Sequence, residues 1–292
     1  MKDLSKFLVG TSVPFTPPVF SLNEFGRSEE NFKLMKNAGL NIVRNNTEFP
    51  FTDESMTEET AEYKQFKADV KLYAAHGIGT LGLFMNPGQY MADSEGNVSY
   101  VRHYPDWMGS YDDDKYYEIL AKVAEYIACD LKDDITYWQV ANEQDLTIFI
   151  GDMSHTQNER WLDVAARGIK KGKPNALCGI CLACSAGGGA EYDENGNKKS
   201  IKQGVHPYAK ELVTKLYRCE NSPYDFIGLD GYFGSWSDGG PEDWIKYIDD
   251  AAEVSGKDVI IHEWGYSTLQ RGTPRPEEDK HRFFNTETCR EK

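Results

Sequence analysis

Short apolar runs alternate with amphipathic stretches along this chain, at intervals of about 35 to 50 residues. The apolar runs have the length and composition of buried strands, and the stretches between them repeat apolar residues at helical spacing. Parallel strands need crossover connections that can hold a helix, and these intervals are long enough. The alternation therefore predicts an α/β fold with a parallel sheet, and a chain of 292 residues suits one (β/α)8 TIM barrel or two smaller domains.

Seven strands and six helices can be placed on this pattern. The strands are predicted at residues 6–15, 40–44, 78–85, 135–140, 178–185, 225–232 and 259–263. The helices are predicted at residues 28–38, 58–75, 113–130, 158–171, 208–219 and 242–255. A polar, aromatic loop at 86–107 follows the third strand, and a glycine-rich insertion at 187–204 follows the fifth.

The pattern ends before an eighth strand. After Glu263 the sequence has 29 residues, which suffice for a loop and one helix. No linker or internal repeat divides the chain. We therefore expect a single barrel domain over residues 1–292 that lacks the eighth β/α unit, either because the barrel is open or because the chain is truncated at its C-terminus.

Charge and hydropathy argue against two classes of partner. The formal net charge is −15, which would repel the phosphates of a nucleic acid. No run approaches 18 consecutive apolar residues, so a membrane span is not expected. The N-terminus Met1-Lys2-Asp3-Leu4-Ser5-Lys6 lacks the apolar region of a secretory signal. As written, the chain is expected to be cytoplasmic, or secreted if its signal was removed.

Three of the six cysteines have C-x2-C-x2-C spacing, namely Cys178, Cys181 and Cys184. This spacing is found in iron–sulfur ligation, but the next position of that pattern is Gly188. The run also has the composition of a buried strand, where free cysteine behaves as a small hydrophobe. We interpret the three thiols as structural and expect no cofactor.

Two predicted strands end in a glutamate. Residues 137–145 read Tyr-Trp-Gln-Val-Ala-Asn-Glu-Gln-Asp, with Glu143 where the strand gives way to a loop. Residues 259–265 read Val-Ile-Ile-His-Glu-Trp-Gly, with Glu263 in the same relation to its strand. Active sites of TIM barrels lie at the C-terminal ends of the strands. A retaining glycosidase needs two carboxyl groups there, about 5–5.5 Å apart.

These residues and their order resemble the clan of retaining (β/α)8 glycoside hydrolases, clan A, which includes the family 5 cellulases and mannanases. The resemblance extends over about residues 7–285. It implies that Glu143, after Asn142, is the acid/base and that Glu263 is the nucleophile. It also matches Arg44 to the arginine after strand two and Tyr232 to the tyrosine after strand six.

Three features depart from the family 5 pattern. Asp230 stands where that family has a histidine on strand six, and strand three ends in Phe84-Met85-Asn86 without a histidine. The tryptophan platform of strand eight has no counterpart. Further candidates for substrate binding are the rim residue Asn46, Trp264, and the loop residues Trp236 and Trp107. Trp264 either forms the floor of the sugar site or packs beneath it.

Two other polar features have more ordinary interpretations. His206, before Pro207, is expected to lie at a helix start, although it could line the cleft. The acidic run at 112–114 is expected to be a charge cluster at a helix N-terminus rather than a metal site.

The sequence as a whole predicts a retaining endo-β-glycanase. Its partner would be an oligo- or polysaccharide such as β-glucan, mannan or a related hemicellulose, with no metal needed for the mechanism. Two alternatives stay open: an exo-acting β-glycosidase, and a catalytically inactive carbohydrate-binding barrel.

Overall fold

A computed structural model describes residues 7–13, 15–16, 19–92, 98–184, 205–233 and 243–265. Contacts between residues divide the chain into two compact units. The first unit comprises Met1–Asn142 and Ile148–Cys178, and the second comprises Glu143–Thr147 and Gly179–Lys292. The prediction of a single domain over residues 1–292 stays a prediction. No helix in the described part of the chain is long and apolar enough to cross a membrane.

The first unit is built on a five-stranded parallel sheet. Its strands lie in the order β1 (Gly10–Ser12), β4 (Ile42–Asn46), β5 (Gly79–Phe84), β8 (Ile135–Val140) and β9 (Leu177–Gly179). The helices of this unit are α1 (Glu29–Asn37), α2 (Ala61–Ala75), α3 (Asp114–Asp130), α4 (Thr147–Ile150) and α5 (His155–Gly172). Two antiparallel hairpins complete it: β2 (Phe15–Thr16) with β3 (Val19–Leu22), and β6 (Gly88–Ala92) with β7 (Val98–Arg102).

Local sequence signals fix the starts of three helices. The side chains of Ser28, Thr60 and Ser154 accept hydrogen bonds from backbone N–H groups in the first turns of α1, α2 and α5. Ser154 forms a capping box with Gln157, whose side chain accepts a hydrogen bond from the Ser154 N–H. Such caps satisfy donors that the helix leaves open at its N-terminus.

Helices α3 and α5 pack against each other at close range. A Cβ at Gly168 of α5 would lie 2.7 Å from the Ala121 carbonyl oxygen of α3, so only glycine permits this approach. Trp161 of α5 is fully buried and donates from Nε1 to the Tyr116 hydroxyl of α3 at 3.1 Å. This pair fixes one helix against the other while it satisfies two buried polar groups.

The second unit contains a three-stranded parallel sheet of β10 (Cys181–Ala183), β11 (Phe226–Gly231) and β12 (Asp258–Trp264). Its helices are α6 (Pro207–Tyr217) and α7 (Asp243–Ser255). The register of β11 and β12 shifts between Leu229 and Asp230, because β12 has one extra residue at that point. All six residues of β11 are buried, as expected for a central parallel strand.

The observed strands and helices follow the predicted order, apart from two hairpins, the short helix α4 and a split in predicted strand five. The hairpin β6–β7 occupies part of the segment 86–107 that was predicted to be a loop, and β2–β3 lies at the end of predicted strand one and in the segment between it and the first predicted helix. Predicted strand five is two short strands, because the Ile180 N–H donates to the Tyr217 hydroxyl between them. The predicted insertion at 187–204 and the region of the expected missing eighth unit, beyond Gly265, lie outside the described residues.

Candidate active site

In the first unit, Arg44 and Asn142 meet at the C-terminal edge of the sheet. Arg44 of β4 donates from Nη2 to the Asn142 Oδ1 at 2.6 Å. Gln139 of β8 donates to the same oxygen at 2.9 Å. The Asn142 amide is thus held with its oxygen toward the cation and its nitrogen on the other side. Two of the predicted substrate-binding residues are therefore in direct contact.

The backbone around Asn142 has an uncommon conformation. Its neighbours Ala141 and Glu143 both have positive φ, at 64° and 45°. Side chains disfavour this region by about 1–2 kcal/mol per residue, so other contacts must hold the turn. Asn86, after β5, accepts from the Asn142 N–H at 2.5 Å and donates to the Asn142 carbonyl at 3.2 Å. Sequence reasoning did not assign Asn86 a role, because nothing in the sequence shows which peptide its amide will meet.

His103 supports Asn86 in turn. Its Nδ1 lies 3.2 Å from the Asn86 carbonyl oxygen. Burial lowers the pKa of His103, which keeps the ring neutral, while the hydrogen bond to Asn86 acts in the opposite direction. A neutral ring that donates from Nδ1 leaves Nε2 as an acceptor.

We expect Asn86→Ala to destabilise the protein by about 2–4 kcal/mol, because both polar groups of the Asn142 peptide lose their side-chain partner. Turnover should fall as well, since the turn leads directly into Glu143. The matched control is Asn41→Ala: Asn41 makes the same pair of bonds to Val9 N–H and Phe7 C=O, at 3.0 and 2.7 Å. Urea unfolding and kcat should separate the variants, with Asn41→Ala losing stability alone. Equal kcat values would contradict a role for Asn86 at the site.

A half-buried carboxyl group near the same edge was not predicted from the sequence. Glu48 lies two residues after β4 and is half-buried. Burial raises the pKa of Glu48 to about 7, and the charge of Glu62 adds to the increase. Its protonated form is therefore favoured in the folded state up to about neutral pH.

The raised pKa makes stability depend on pH in a defined direction. The contribution of Glu48 to the free energy of unfolding is fully favourable below its unfolded pKa of 4.5. It is lost as pH rises through its folded pKa of about 7. Glu48→Gln should therefore raise the free energy of unfolding by about 1–3 kcal/mol at about pH 8, with little effect near pH 4. Urea titrations at both pH values test this. The exposed Glu118 of α3 provides the control, Glu118→Gln, and a pH-independent effect of Glu48→Gln would refute the prediction.

In the second unit, the Tyr232 hydroxyl interacts electrostatically with both predicted catalytic acids, Glu143 and Glu263. Its hydroxyl donates a short hydrogen bond to the Glu263 Oε2. Burial raises the pKa of the Tyr232 hydroxyl, and the charge of Glu263 raises it further. Asp230 and Glu143 add smaller effects of the same sign. Glu143, which follows β8, and Glu263, which lies near the end of β12, are thus both near enough to act on one phenol.

Asp145 fixes the loop that carries Glu143 within this unit. Its side chain is buried, and its Oδ1 accepts from the Ala183 N–H of β10 at 3.1 Å. Its Oδ2 lies 3.4 Å from Nε2 of His206. His206 is the N-cap residue of α6, with Pro207 in the first turn, as the sequence predicted. These two contacts of Asp145 hold residues 143–147 against both β10 and the start of α6.

The remaining candidates are dispersed. Asn46 is half-buried at the end of β4, on the same side of the strand as Arg44. Trp264 is 68% exposed, which leaves its ring accessible to a ligand. Trp107 is half-buried in a short 3₁₀ turn and packs edge-to-face on Phe49 at 5.7 Å. Trp236 lies outside the described residues, and the binding roles of all four stay predictions.

The acidic run at 112–114 lies at the start of α3, as expected. Asp113 is its N-cap residue, and Asp114, in the first turn, accepts from Arg160 at 2.6 Å. The three cysteines of the C-x2-C-x2-C run are buried in or beside β9 and β10. Among the residues that the structure describes, they do not form a metal-ligand group with one another.

The fold is shared with glycoside hydrolases of known structure. The chain is similar to a family 1 β-glucosidase from Thermotoga maritima, with 14% identity, a TM-score of 0.53, and coverage of 81% of this chain and 66% of that one. It is also similar to the GH53 catalytic domain of Ignisphaera aggregans, with 17% identity, a TM-score of 0.61, and coverage of 93% and 72%. Fungal β-1,4-galactanases give 18% identity, a TM-score of 0.59, and coverage of 97% and 82%.

These likenesses confirm the predicted fold class, an α/β TIM barrel. The chain spans about two thirds of the length of the Thermotoga enzyme. No protein-family model matches the sequence, and no curated protein matches it either. The similar structures include members of families 1 and 53, so the finer resemblance to family 5 stays a prediction.

Proposed function

We propose that this protein is a retaining β-glycoside hydrolase in which Glu143 is the acid/base and Glu263 is the nucleophile. The observation that carries the proposal is the hydrogen bond from the Tyr232 hydroxyl to Glu263. The charge of Glu143 supports it, because that charge also raises the pKa of the same hydroxyl. Two acids from sequence positions 120 residues apart act on one group in the second unit. Hydrolysis with retention requires two carboxyl groups about 5–5.5 Å apart, on opposite sides of the scissile bond.

The first half-reaction forms a glycosyl-enzyme. The Glu263 carboxylate attacks the anomeric carbon as the bond from that carbon to the leaving oxygen breaks, and Glu143 donates its proton to that oxygen. In the second half-reaction, Glu143 removes a proton from water, and the water oxygen displaces Glu263 from the anomeric carbon. Two displacements on opposite faces return the original anomeric configuration, and Glu143 ends protonated again.

The surrounding residues have distinct proposed roles. Tyr232 holds the Glu263 carboxylate in one orientation through its hydrogen bond. Asn142, fixed by Arg44 and Gln139, would bind the 2-hydroxyl of the sugar at the cleavage site. Hydrogen bonds to that hydroxyl strengthen in the transition state. Arg44 would then act as a positioning residue for Asn142.

The proposed substrate is a plant-type polysaccharide that is cut internally, such as a β-glucan, mannan or related hemicellulose. The likeness to fungal β-1,4-galactanases adds galactan to the substrates that should be tested. The likeness to a β-glucosidase supports the alternative of exo action on the chain end. Viscosity loss relative to reducing ends released distinguishes the two, because internal cuts shorten a polymer faster. NMR of the first-formed anomer tests retention.

We expect Tyr232→Phe to lower kcat/KM by about 10- to 100-fold, because a hydrogen bond to a charged group contributes about 1.5–3 kcal/mol. KM should change less than kcat, since the bond orients the nucleophile rather than the sugar. Tyr224→Phe is a suitable control, because Tyr224 stacks on Tyr217 elsewhere in the same unit. Kinetics on aryl β-glycosides would show the difference, and a Tyr232→Phe enzyme with wild-type kcat would remove Tyr232 from the mechanism.

A further inference from the structure

Three side chains of different chemistry converge on the sheet of the second unit. They are Cys181 of β10, Asp230 of β11 and His262 of β12. A thiol sulfur, a carboxylate oxygen and an imidazole nitrogen all lie within 4.8 Å of one another. Cys181 and Asp230 are buried, and His262 is half-buried. Among the described residues, this is the one group of three such side chains close enough to hold a metal ion.

The register of the strands places the three residues on one face. Cys181 pairs with Gly228, and Gly228 pairs with Ile260. Because side chains alternate along a strand, Asp230 shares the face of Gly228. The ring of His262 lies against Gly228, on that same face. The three donors therefore come from three adjacent strands and lie on the same side of the sheet.

Gly228 provides the space for the imidazole ring. A Cβ at this position would meet the ring of His262 well inside contact distance, at 2.5 Å from Nδ1. The ring therefore lies directly over Gly228. Phe226, two residues before Gly228, packs edge-to-face on the same ring at 5.6 Å. The glycine and the phenylalanine together hold the imidazole in the group.

The extra residue in β12 also contributes. Leu229 pairs with Ile261 and Asp230 pairs with Glu263, so His262 is the extra residue of β12 at this bulge. Such a bulge redirects the side chains beside it and often lies next to a functional site. Here it allows His262 to join the metal-ligand group while the next residue, Glu263, accepts from Tyr232.

We propose that Cys181, Asp230 and His262 bind one divalent transition-metal ion, with Zn²⁺ as the best fit. Thiolate, imidazole and carboxylate are the ligands that zinc takes in proteins, at bond lengths of about 2.0–2.3 Å. Ligand atoms on a tetrahedral zinc are then about 3.2–3.8 Å apart, so the observed group needs to contract by only about 1 Å. The thiol and imidazole disfavour Mg²⁺ and Ca²⁺, which prefer oxygen ligands.

Three protein ligands leave one position of a tetrahedral ion for water. The ion would cross-link β10, β11 and β12 immediately before the residues that the hydrolase proposal uses. Binding would stabilise the folded state increasingly as metal concentration rises. The hydrolytic steps proposed above do not involve this ion, so the metal site and the hydrolase activity can be tested separately.

The test uses the full chain, treated with a chelator and then titrated with Co²⁺ and with Zn²⁺. Co²⁺ bound by Cys181 should give thiolate-to-metal charge-transfer absorption and the visible bands of a four-coordinate ion, at one ion per chain. Zn²⁺ should displace it and raise the Tm. Absence of the charge-transfer band would overturn the proposal, because the thiol would then not be a ligand.

Substitutions identify the ligands. Cys181→Ser, Asp230→Asn and His262→Gln should each weaken Zn²⁺ binding on the order of 100-fold or more, whereas Cys219→Ser should bind as the wild type does. Circular dichroism of each chelated variant checks folding, and the Co²⁺ spectrum of the wild type tests the thiolate ligand even if a variant does not fold. Unchanged affinity in all three folded variants would show an adventitious surface site and overturn the proposal. Glu263→Gln should keep the metal, so failure of the hydrolase proposal would not be mistaken for failure of this one.

Discussion

Glu263→Gln is expected to lower kcat on aryl β-glycosides on the order of 10⁴-fold, because an amide cannot attack the anomeric carbon or carry the glycosyl group. The substitution is nearly isosteric and keeps an oxygen that can accept from Tyr232, so folding should be preserved. The matched control is Glu253→Gln, at an exposed glutamate of α7 in the same unit. Initial rates on a panel of aryl glycosides and polysaccharides, with a thermal melt of each variant, make the comparison.

Product stereochemistry gives this experiment a second, independent readout. In Glu263→Gly, added azide can occupy the space of the missing side chain and attack the sugar directly. A single displacement inverts the anomeric centre, so a β-glycoside should yield an α-glycosyl azide, which NMR identifies. Full activity of Glu263→Gln would exclude Glu263 as the nucleophile. If neither the wild type nor the variant turns over any substrate while both bind oligosaccharide, the protein is the carbohydrate-binding barrel instead.

Glu143→Ala should have an effect that depends on the leaving group. For a polysaccharide or an alkyl glycoside, the leaving oxygen needs a proton, and we expect a loss on the order of 10³-fold or more. For dinitrophenyl glycosides, whose leaving group departs as an anion, formation of the glycosyl-enzyme should change by less than about 10-fold. Pre-steady-state release of dinitrophenol followed by slow turnover would demonstrate that the intermediate accumulates.

Azide distinguishes the role of Glu143 from that of Glu263. With Glu143→Ala, azide should attack the glycosyl-enzyme on the face opposite Glu263 and need no general base, so turnover should recover and the product should be the β-glycosyl azide. Opposite anomers from the two variants would assign the two roles from chemistry alone. An equal loss on activated and unactivated substrates, with no azide product, would contradict the acid/base assignment.

Most of the secondary structure could be predicted because it depends on local sequence. The apolar runs that end at Val140 and Gly231 are strands because most of their residues are buried in parallel sheets, and burial leaves a continuous apolar signal. The hairpin β6–β7 was missed because its segment has no such run. Tyr90 and Tyr100 pair across it, with ring centroids 5.5 Å apart, and such cross-strand contacts do not show in a single strand's sequence.

The candidate site was predictable only in part. Glu143, Glu263, Arg44 and Tyr232 each stand at the end of a predicted strand, and their positions together with the resemblance to clan A marked them. The roles of Asn86, Asp145 and Asp230 come from partners far away in the chain. Asn86 meets Asn142 across 56 residues, and Asp145 meets Ala183 across 38. No local pattern encodes such pairs.

The sequence by itself determined the alternation of strands and helices, the barrel class and the identity of two acids at strand ends, because periodicity and burial act over a few neighbouring residues. Only the tertiary structure decided which polar groups face one another. The register of three strands brought Cys181, Asp230 and His262 together, and it gave Gly228 its role, because strand pairing joins residues whose distance along the chain has no relation to their distance in space.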